Sequence, residues 1–168
     1  LEMKQTRGDW SGRISVAGGS KRDIESPERV KQAIVQAQNE VAGTSKMVST
    51  TEITLRIQSP TSPDLTLIDL PGITRIAVEG QPDDMPDRIK NLVTNYIKRD
   101  NTIILCVISG NIDVAVNESV KLAQSVDPDG NRTLGVITKA DMTDNDEDKR
   151  NLIRLLNGSI IPMRKGFI

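Results

Sequence analysis

From residue 65 onward, short apolar runs alternate with longer stretches that have the apolar period of an amphipathic helix. Residues 65–68 predict a strand, and apolar residues then recur at helical spacing from Ile89 to Ile97. Residues 102–108 are apolar at nearly every position, which is typical of a central strand covered on both faces by helices. This alternation is the pattern of βαβ units, so it predicts an α/β fold built on a mostly parallel sheet.

The same pattern continues along the second half of the chain. It predicts a helix at residues 117–126 and a strand at residues 134–137, with a turn at residues 127–130 between them. A last helix is predicted from the leucine and isoleucine residues at 152–156, and Gly158 is placed to end it in a left-handed conformation.

The first third of the chain predicts one helix and one strand. The helix is expected to start at Ser26 and to end at Gly43, and its apolar residues form a single stripe. Alternating apolar residues from Ile53 to Ile57 predict a half-buried strand. Because there is no internal repeat and no long linker, residues 1–168 are predicted to form part of one domain.

The composition excludes several classes of chemistry. Histidine is absent, which excludes a Ser/His/Asp triad, a Cys/His nucleophile pair and an imidazole metal site. A net charge of −1 and a very low aromatic content argue against nucleic acid as a ligand. The single cysteine, Cys106, lies in an apolar run and is predicted to be a buried thiol. Without a membrane span or a signal peptide, the protein is expected to be cytoplasmic and not transmembrane.

A first candidate site, Asp69-Leu70-Pro71-Gly72, directly follows the strand predicted at residues 65–68. A carboxylate at that point lies at the carboxyl edge of the sheet, where open α/β folds bind their ligands. A D-x-x-G run has low specificity by itself, and residues 127–130 also match it. That second match precedes a strand instead of following one, so it is interpreted as a turn.

A second candidate site, Thr138-Lys139-Ala140-Asp141, follows the strand predicted at residues 134–137. An aspartate there can accept two hydrogen bonds, from the ring N–H and the exocyclic amine of guanine, while the lysine stem lies along the base. Adenine presents no such pair of donors to a carboxylate. The run therefore predicts a site that selects guanine.

Both candidate sites end strands, and right-handed crossovers would bring them to the same edge of one sheet. Asp69 and Asp141 would then meet along that edge to hold a metal and a purine. The alternative interpretation is that both carboxylates cap loops, that Lys139 is solvated and that the pairing is a coincidence.

The residues around both sites resemble the GTPase domain of the dynamin superfamily, and of Mx proteins in particular. The resemblance rests on three strings: DLPGITRIAV at 69–78, QP at 81–82 and VDPDGNRTLGVITKAD at 126–141. It covers essentially residues 53–168, of which residues 53–69 and the ITRIAV run at 73–78 are more similar to Mx, and residues 162–167 to conventional dynamins. It implies a three-layer, P-loop-NTPase-like α/β fold with an incomplete sheet, because the strand leading to the phosphate loop is missing.

The resemblance also implies a role for each site residue. Asp69 would hold Mg²⁺ through water, and the Gly72 amide would sense the γ-phosphate of GTP, within a GTP-binding run that includes Leu70 and Pro71. Thr138, Lys139, Ala140 and Asp141 would form the guanine-binding group.

Two further elements are implied beside that group. Asp144 would contact the base or a second GTPase domain, or else remain a solvated loop carboxylate. Residues 73–81 would form a loop that orders around the γ-phosphate and meets a second GTPase domain.

One required element is absent from the sequence: no G-x-x-x-x-G-K-[ST] phosphate loop occurs, and Gly18-Gly19-Ser20-Lys21 is interpreted as an ordinary loop. The chain starts at Leu1 and stops as an apolar element begins, so both ends are interpreted as cut. The parent protein is expected to hydrolyse GTP with Mg²⁺ and to form homodimers or larger homo-oligomers through its GTPase face. A viral or membrane target is expected, with an antiviral role if the Mx resemblance holds.

The 168 residues alone are expected to be unstable and inactive. Three alternatives remain open for the function. In the first, the chain is an inactive shortened product that acts only as a binding module. In the second, it belongs to a conventional dynamin-related GTPase that remodels membranes. The third alternative is another α/β phosphate-binding domain with no preference for GTP.

Overall fold

The computed structural model describes residues 1–19, 21–42, 49–74, 77, 81–110, 117–142, 146–158 and 163–168. The strands are β1 (Glu2–Gln5), β2 (Ser11–Val16), β3 (Lys21–Ile24), β4 (Ile53–Ser59), β5 (Leu65–Thr66), β6 (Ile104–Ser109) and β7 (Thr133–Thr138). The helices are α1 (Val30–Ala42), α2 (Met85–Ile97), α3 (Glu118–Val126) and α4 (Asp146–Leu156), with 3-10 turns at Pro27–Arg29 and Ala140–Met142. The predicted α/β class is confirmed. By its internal contacts the chain forms two compact units, Leu1–Ile89 and Lys90–Ile168.

The first unit is a five-stranded sheet with one helix packed on it. The strand order is β3-β2-β4-β1-β5; β1 and β4 are parallel, and the other three pairings are antiparallel. Ile14, Ile24 and Leu55 of the sheet form a core with Ala37 of α1. This arrangement confirms the predicted first helix and the predicted half-buried strand at residues 53–57.

The opposite face of this sheet is polar because side chains alternate between the two faces of a strand. Arg13 on β2 forms an ion pair with Asp23 on β3, with Nε and Oδ1 separated by 2.6 Å. Arg56 on β4 forms another with Glu2 on β1. The two arginines are cross-strand neighbours, so each carboxylate offsets the repulsion between like charges on adjacent strands.

The strand predicted at residues 65–68 is shorter than expected. β5 contains only Leu65 and Thr66 and is antiparallel to β1, although two backbone hydrogen bonds between Leu1 and Leu67, of 2.8 and 2.9 Å, prolong the contact. Leu65, Leu67 and Ile68 are exposed. The strand is short and exposed because β5 is the outermost strand of this sheet. Its second edge pairs with no other described strand.

The second unit is built on two parallel strands, β6 and β7, which pair from Ile104↔Thr133 to Ser109↔Thr138. Residues 166–168 run beside β7, because Gly135 N–H donates to the Gly166 carbonyl and Ile168 N–H donates to the Gly135 carbonyl. A Cβ on Gly135 would lie 2.2 Å from Cδ1 of Phe167, so this close approach requires glycine.

The prediction that the strand at residues 102–108 is covered on both faces is wrong for the part of the chain that the structure describes. Ile104, Cys106 and Ile108 are buried, and α3 packs on this strand. Three apolar side chains of the other face are each more than half exposed: Ile103, Leu105 and Val107. The uniform apolar run of the sequence does not distinguish a face that is covered here from one that is not.

The predicted helices of the second unit are confirmed. The Asn117 side chain caps α3 by accepting hydrogen bonds from the N–H groups of Ser119 and Val120, at 3.0 and 3.3 Å. Gly158 follows α4 with a φ of +69°, the left-handed conformation expected of a glycine that ends a helix. Of the helices described, none is long and apolar enough to cross a membrane.

The described strands form two hydrogen-bonded sheets, β1–β5 in the first unit and β6–β7 in the second. None of the described strands leads into a G-x-x-x-x-G-K-[ST] run, because the sequence contains no such run. The incomplete sheet implied by the resemblance is thereby supported.

Candidate functional site

The first candidate site lies in an irregular segment of the first unit. Since β5 ends at Thr66, Asp69 follows that strand after two further residues. Asp69 and Gly72 are exposed, and Leu70 and Pro71 are half-buried. A Cβ on Gly72 would meet no heavy atom within 4 Å, so the backbone at this point is open to an approaching group.

The second candidate site is more closely defined by its surroundings. Thr138 is the last residue of β7, and its hydroxyl donates to the Ile108 carbonyl of β6 at 3.4 Å. Lys139 has a φ of +56°, which places a residue other than glycine in the left-handed region. Asp141 lies in the 3-10 turn that follows, and both the Lys139 and the Asp141 side chains are exposed.

The turn after Thr138 is held by backbone hydrogen bonds. Met142 N–H donates to the Lys139 carbonyl at 3.0 Å, and Gly110 N–H donates to the Thr138 carbonyl at 2.7 Å. A left-handed residue with a Cβ costs about 1–2 kcal/mol, so the surrounding contacts must stabilise this conformation. The result is a sharp turn that presents an aspartate to solvent at the carboxyl end of a parallel strand.

Sequence reasoning missed Gly110, which lies directly after β6. A Cβ on this residue would lie 3.3 Å from the Thr138 oxygen and 3.3 Å from Cα of Ala140, so residue 110 contacts the candidate site through its backbone. The available signal was a glycine at the end of an apolar strand, which often marks a close backbone approach.

Sequence reasoning also assigned too small a role to Asp127. This carboxylate is buried and accepts hydrogen bonds from the Thr133 hydroxyl at 2.6 Å and from the N–H groups of Asn131 and Arg132 at 3.0 Å. Burial opposes ionisation, but the hydrogen bonds and the nearby Arg132 charge together lower the pKa of Asp127. The predicted turn is present, and its first residue, Asp127, is buried and holds the turn through three hydrogen bonds.

Cys106 is buried as predicted, and burial raises the pKa of its thiol to about 11. The thiolate form is therefore scarce at neutral pH, which agrees with a structural residue.

A magnesium site can be tested against the donors that the structure provides. Among the described ranges, no three or more Asp, Glu, Cys or His side chains are grouped to hold a metal ion. Mg²⁺ in phosphate-binding proteins usually retains several waters and uses one or two carboxylates with the substrate phosphates. The single exposed carboxylate of Asp69 fits that kind of site.

Asp69 and Asp141 belong to different units of the chain, so their meeting along one edge stays a prediction. Asp144 lies outside the described residues, as do most of residues 73–81.

Comparison with known proteins provides the family. Residues 1–140 match the model of the dynamin family. The chain belongs to this family. Among the relatives of this dynamin-family chain, the interferon-induced GTP-binding protein Mx of Perca fluviatilis is 44% identical over 168 residues, which is all of the present chain and 55% of that protein.

Two other relatives are longer. The interferon-induced GTP-binding protein Mx of Epinephelus coioides is 44% identical over 172 residues, and the interferon-induced GTP-binding protein MxE of Danio rerio is 41% identical over 170 residues. In both cases the alignment covers the whole chain but 27% of the relative. The dynamin-family chain thus spans about half the length of one relative and about a quarter of the others, and the predicted resemblance to Mx proteins is confirmed.

Proposed function

We propose that the full-length protein binds and hydrolyses GTP, and that the loop of residues 138–141 selects the guanine base. The observation that carries this proposal is the turn after β7, where a left-handed Lys139 is followed by an exposed Asp141. Membership of the dynamin family supports it, and the three relatives described above are named as GTP-binding proteins.

The chemistry of base selection follows from the two oxygens of one carboxylate. Asp141 accepts one hydrogen bond from the ring N–H of guanine and one from its exocyclic amine. The aliphatic stem of Lys139 lies along the plane of the base. A hydrogen bond to a charged group contributes about 1.5–3 kcal/mol, so the paired contact is large enough to discriminate between bases.

The phosphate side of the proposed site uses the first candidate segment. Asp69 would hold Mg²⁺ through water, and the Gly72 N–H would donate to the γ-phosphate, since the space around Gly72 is open. When bound, Mg²⁺ supplies positive charge that offsets the charge on the phosphate oxygens. Under this proposal, residues 1–168 are part of one GTPase domain, and its phosphate loop lies in another part of the full-length protein.

The proposal is tested by replacing Asp141 with Asn in the full-length protein. The amide exchanges one acceptor for a donor, so affinity for GTP is expected to fall by about tenfold or more, and affinity for xanthosine triphosphate is expected to rise. Nucleotide affinities measured by calorimetry or by displacement of a fluorescent nucleotide provide the readout.

Asp129→Asn is the matched control, because Asp129 is an exposed carboxylate in the D-x-x-G run that was interpreted as a turn. It is expected to leave both affinities unchanged. An Asp141→Asn protein that prefers GTP as strongly as the unaltered protein does would contradict the assignment.

A second candidate function is a binding module without catalysis. It is favoured by the absence of a G-x-x-x-x-G-K-[ST] run anywhere in the 168 residues, because phosphoryl transfer depends on such a loop and its lysine. In this case the chain acts by associating with full-length copies. A phosphate-loop run about 50 to 100 residues before Asp69 in the full-length product would decide for the enzyme.

Assembly and biological role complete the proposal. Nucleotide-driven pairing of two GTPase domains would make the protein a homodimer or a larger homo-oligomer in the cytoplasm, acting on a viral or membrane target. The interferon-induced relatives support an antiviral role, and a conventional membrane-remodelling role is the alternative. Analytical ultracentrifugation of the full-length protein with and without a GTP analogue tests the pairing.

A further inference from the structure

Gly110 stands at the point where β6 ends, and the loop of the second candidate site lies directly against it. A Cβ added to Gly110 would lie 3.3 Å from the Thr138 carbonyl oxygen, 3.3 Å from Cα of Ala140 and 3.5 Å from the Ala140 nitrogen. All three of these neighbours are backbone atoms of the loop itself. A side chain at residue 110 could not move them aside without moving the loop.

The same residue also holds the loop by hydrogen bonding. Gly110 N–H donates to the Thr138 carbonyl at 2.7 Å, one residue beyond the last paired position of β6 and β7, Ser109↔Thr138. Thr138 in turn donates its hydroxyl to Ile108 at 3.4 Å. Ile108 in β6 and Gly110 just after it therefore both form a hydrogen bond with Thr138, the residue at which the loop begins.

The loop needs such support because Lys139 has an unfavourable backbone conformation, with a φ of +56°. A strained residue persists only where its surroundings determine the conformation. The contacts from Gly110 and Ile108 lie immediately before Lys139, and Asp141 lies two residues after it. A small displacement at Thr138 or Ala140 is thus transmitted through a short, tight turn to the Asp141 carboxylate.

We propose that Gly110 is a positioning residue for guanine selection: its lack of a side chain lets the loop of residues 138–141 approach β6, and this approach sets the place of the Asp141 carboxylate. The inference rests on the proposed function of that loop. Gly110 does not touch the base. It acts on specificity through the backbone of Thr138 and Ala140.

The experiment compares Gly110→Ala and Gly110→Val in the full-length protein, with affinities measured for GTP and for inosine triphosphate. Inosine lacks the exocyclic amine, so the ratio of the two affinities reports the second hydrogen bond to Asp141 and not nucleotide binding in general. The ratio is expected to fall by about tenfold for Val, and to fall less for Ala, whose single methyl group requires a smaller shift.

Gly8→Val is the matched control, because a Cβ on Gly8 would meet no heavy atom within 4 Å. It is expected to leave the ratio unchanged. Since Val at position 110 could also disrupt folding, the Ala variant must show the same direction of change while its melting temperature stays near that of the unaltered protein.

An unaltered ratio in the folded Ala variant, or an equal loss of both affinities, overturns the inference and leaves Gly110 as a purely structural glycine. An unaltered protein without preference for GTP over inosine triphosphate overturns the proposed function as well, so the two failures are distinguishable.

Discussion

At the scale of single residues, the strongest local signal is backbone strain at Lys139. It is the one residue other than glycine with a positive φ in the part of the chain that the structure describes. Strained residues of this kind concentrate at ligand-binding positions, where the geometry is needed and is stabilised by neighbours. Thr138 and Gly110 supply those neighbouring contacts here.

A pair of substitutions at this position separates the backbone from the side chain. Lys139→Gly removes the left-handed penalty, so it is expected to raise the stability of the full-length protein by about 1 kcal/mol while lowering its affinity for GTP. Lys139→Ala keeps the strain and removes the side chain, so affinity falls without a gain in stability. Thermal unfolding and nucleotide titration provide the two measurements.

The opposite changes in stability and affinity are the essential result for Lys139→Gly. If this variant gained no stability over Lys139→Ala, the strain at residue 139 would not be energetically significant. If both variants bound GTP as tightly as the unaltered protein, the lysine stem would have no role at the base.

At the scale of secondary-structure elements, the turn between α3 and β7 joins several chain segments of the second unit. The Arg132 guanidinium donates to the carbonyls of Ile97, Thr102 and Val126, at 2.6, 3.3 and 3.1 Å. Ile97 and Val126 are the last residues of α2 and α3, whose final carbonyls have no partner within their own helices. Asp127 fixes the start of the same turn, so one short loop satisfies two helix ends and the beginning of β7.

The lowered pKa of Asp127 predicts a pH dependence of stability. The folded state binds a proton at Asp127 less readily than the unfolded state, whose aspartate pKa is about 3.9, so the ionised carboxylate stabilises the fold above that pH. This contribution is lost as the pH falls through the lower folded pKa. Asp127→Asn is expected to cost about 1–3 kcal/mol at pH 7 and to reduce the loss of stability on acidification below about pH 4.

Chemical unfolding of the full-length protein at pH 7 and at pH 3 tests this expectation. The control is Asp129→Asn in the same turn, because Asp129 is exposed, and little change is expected at either pH. Equal effects of the two substitutions would show that the hydrogen bonds from Thr133, Asn131 and Arg132 to Asp127 do not stabilise the fold.

At the scale of the whole molecule, apolar side chains are exposed in both units among the residues that the structure describes. They include Leu65, Leu67 and Ile68 in the first unit, and Ile103, Leu105 and Val107 in the second. Exposed apolar groups of this kind, on strands or directly beside them, reduce solubility and promote association.

The isolated 168 residues are therefore expected to bind a hydrophobic dye such as ANS and to bind GTP poorly. The exposed apolar side chains explain dye binding, and the absent phosphate loop removes most of the contacts to the nucleotide. Fluorescence and titration calorimetry of the purified chain provide the measurements, with the full-length protein as the control. Tight GTP binding by the isolated chain, or dye fluorescence no stronger than that of the full-length protein, would contradict this expectation.

Much of this architecture was predictable because it depends on local physical chemistry. The periods of apolar residues predicted α1 to α4, and the glycine after α4 predicted the left-handed residue that ends it. The three strings at residues 69–78, 81–82 and 126–141 predicted the dynamin family, and the match to the family model confirmed it. The guanine site at residues 138–141 stays a prediction that rests on residue types, since a carboxylate and a lysine are chemically suited to that base.

Other features are decided only when distant segments meet. An apolar run does not say which face of its strand will be covered, so the exposed side of β6 required the tertiary structure. The short, antiparallel β5 depends on its neighbour β1, more than 60 residues earlier in sequence. Gly110 and Asp127 have roles that come from atoms brought close by folding, and no local pattern specifies those distances.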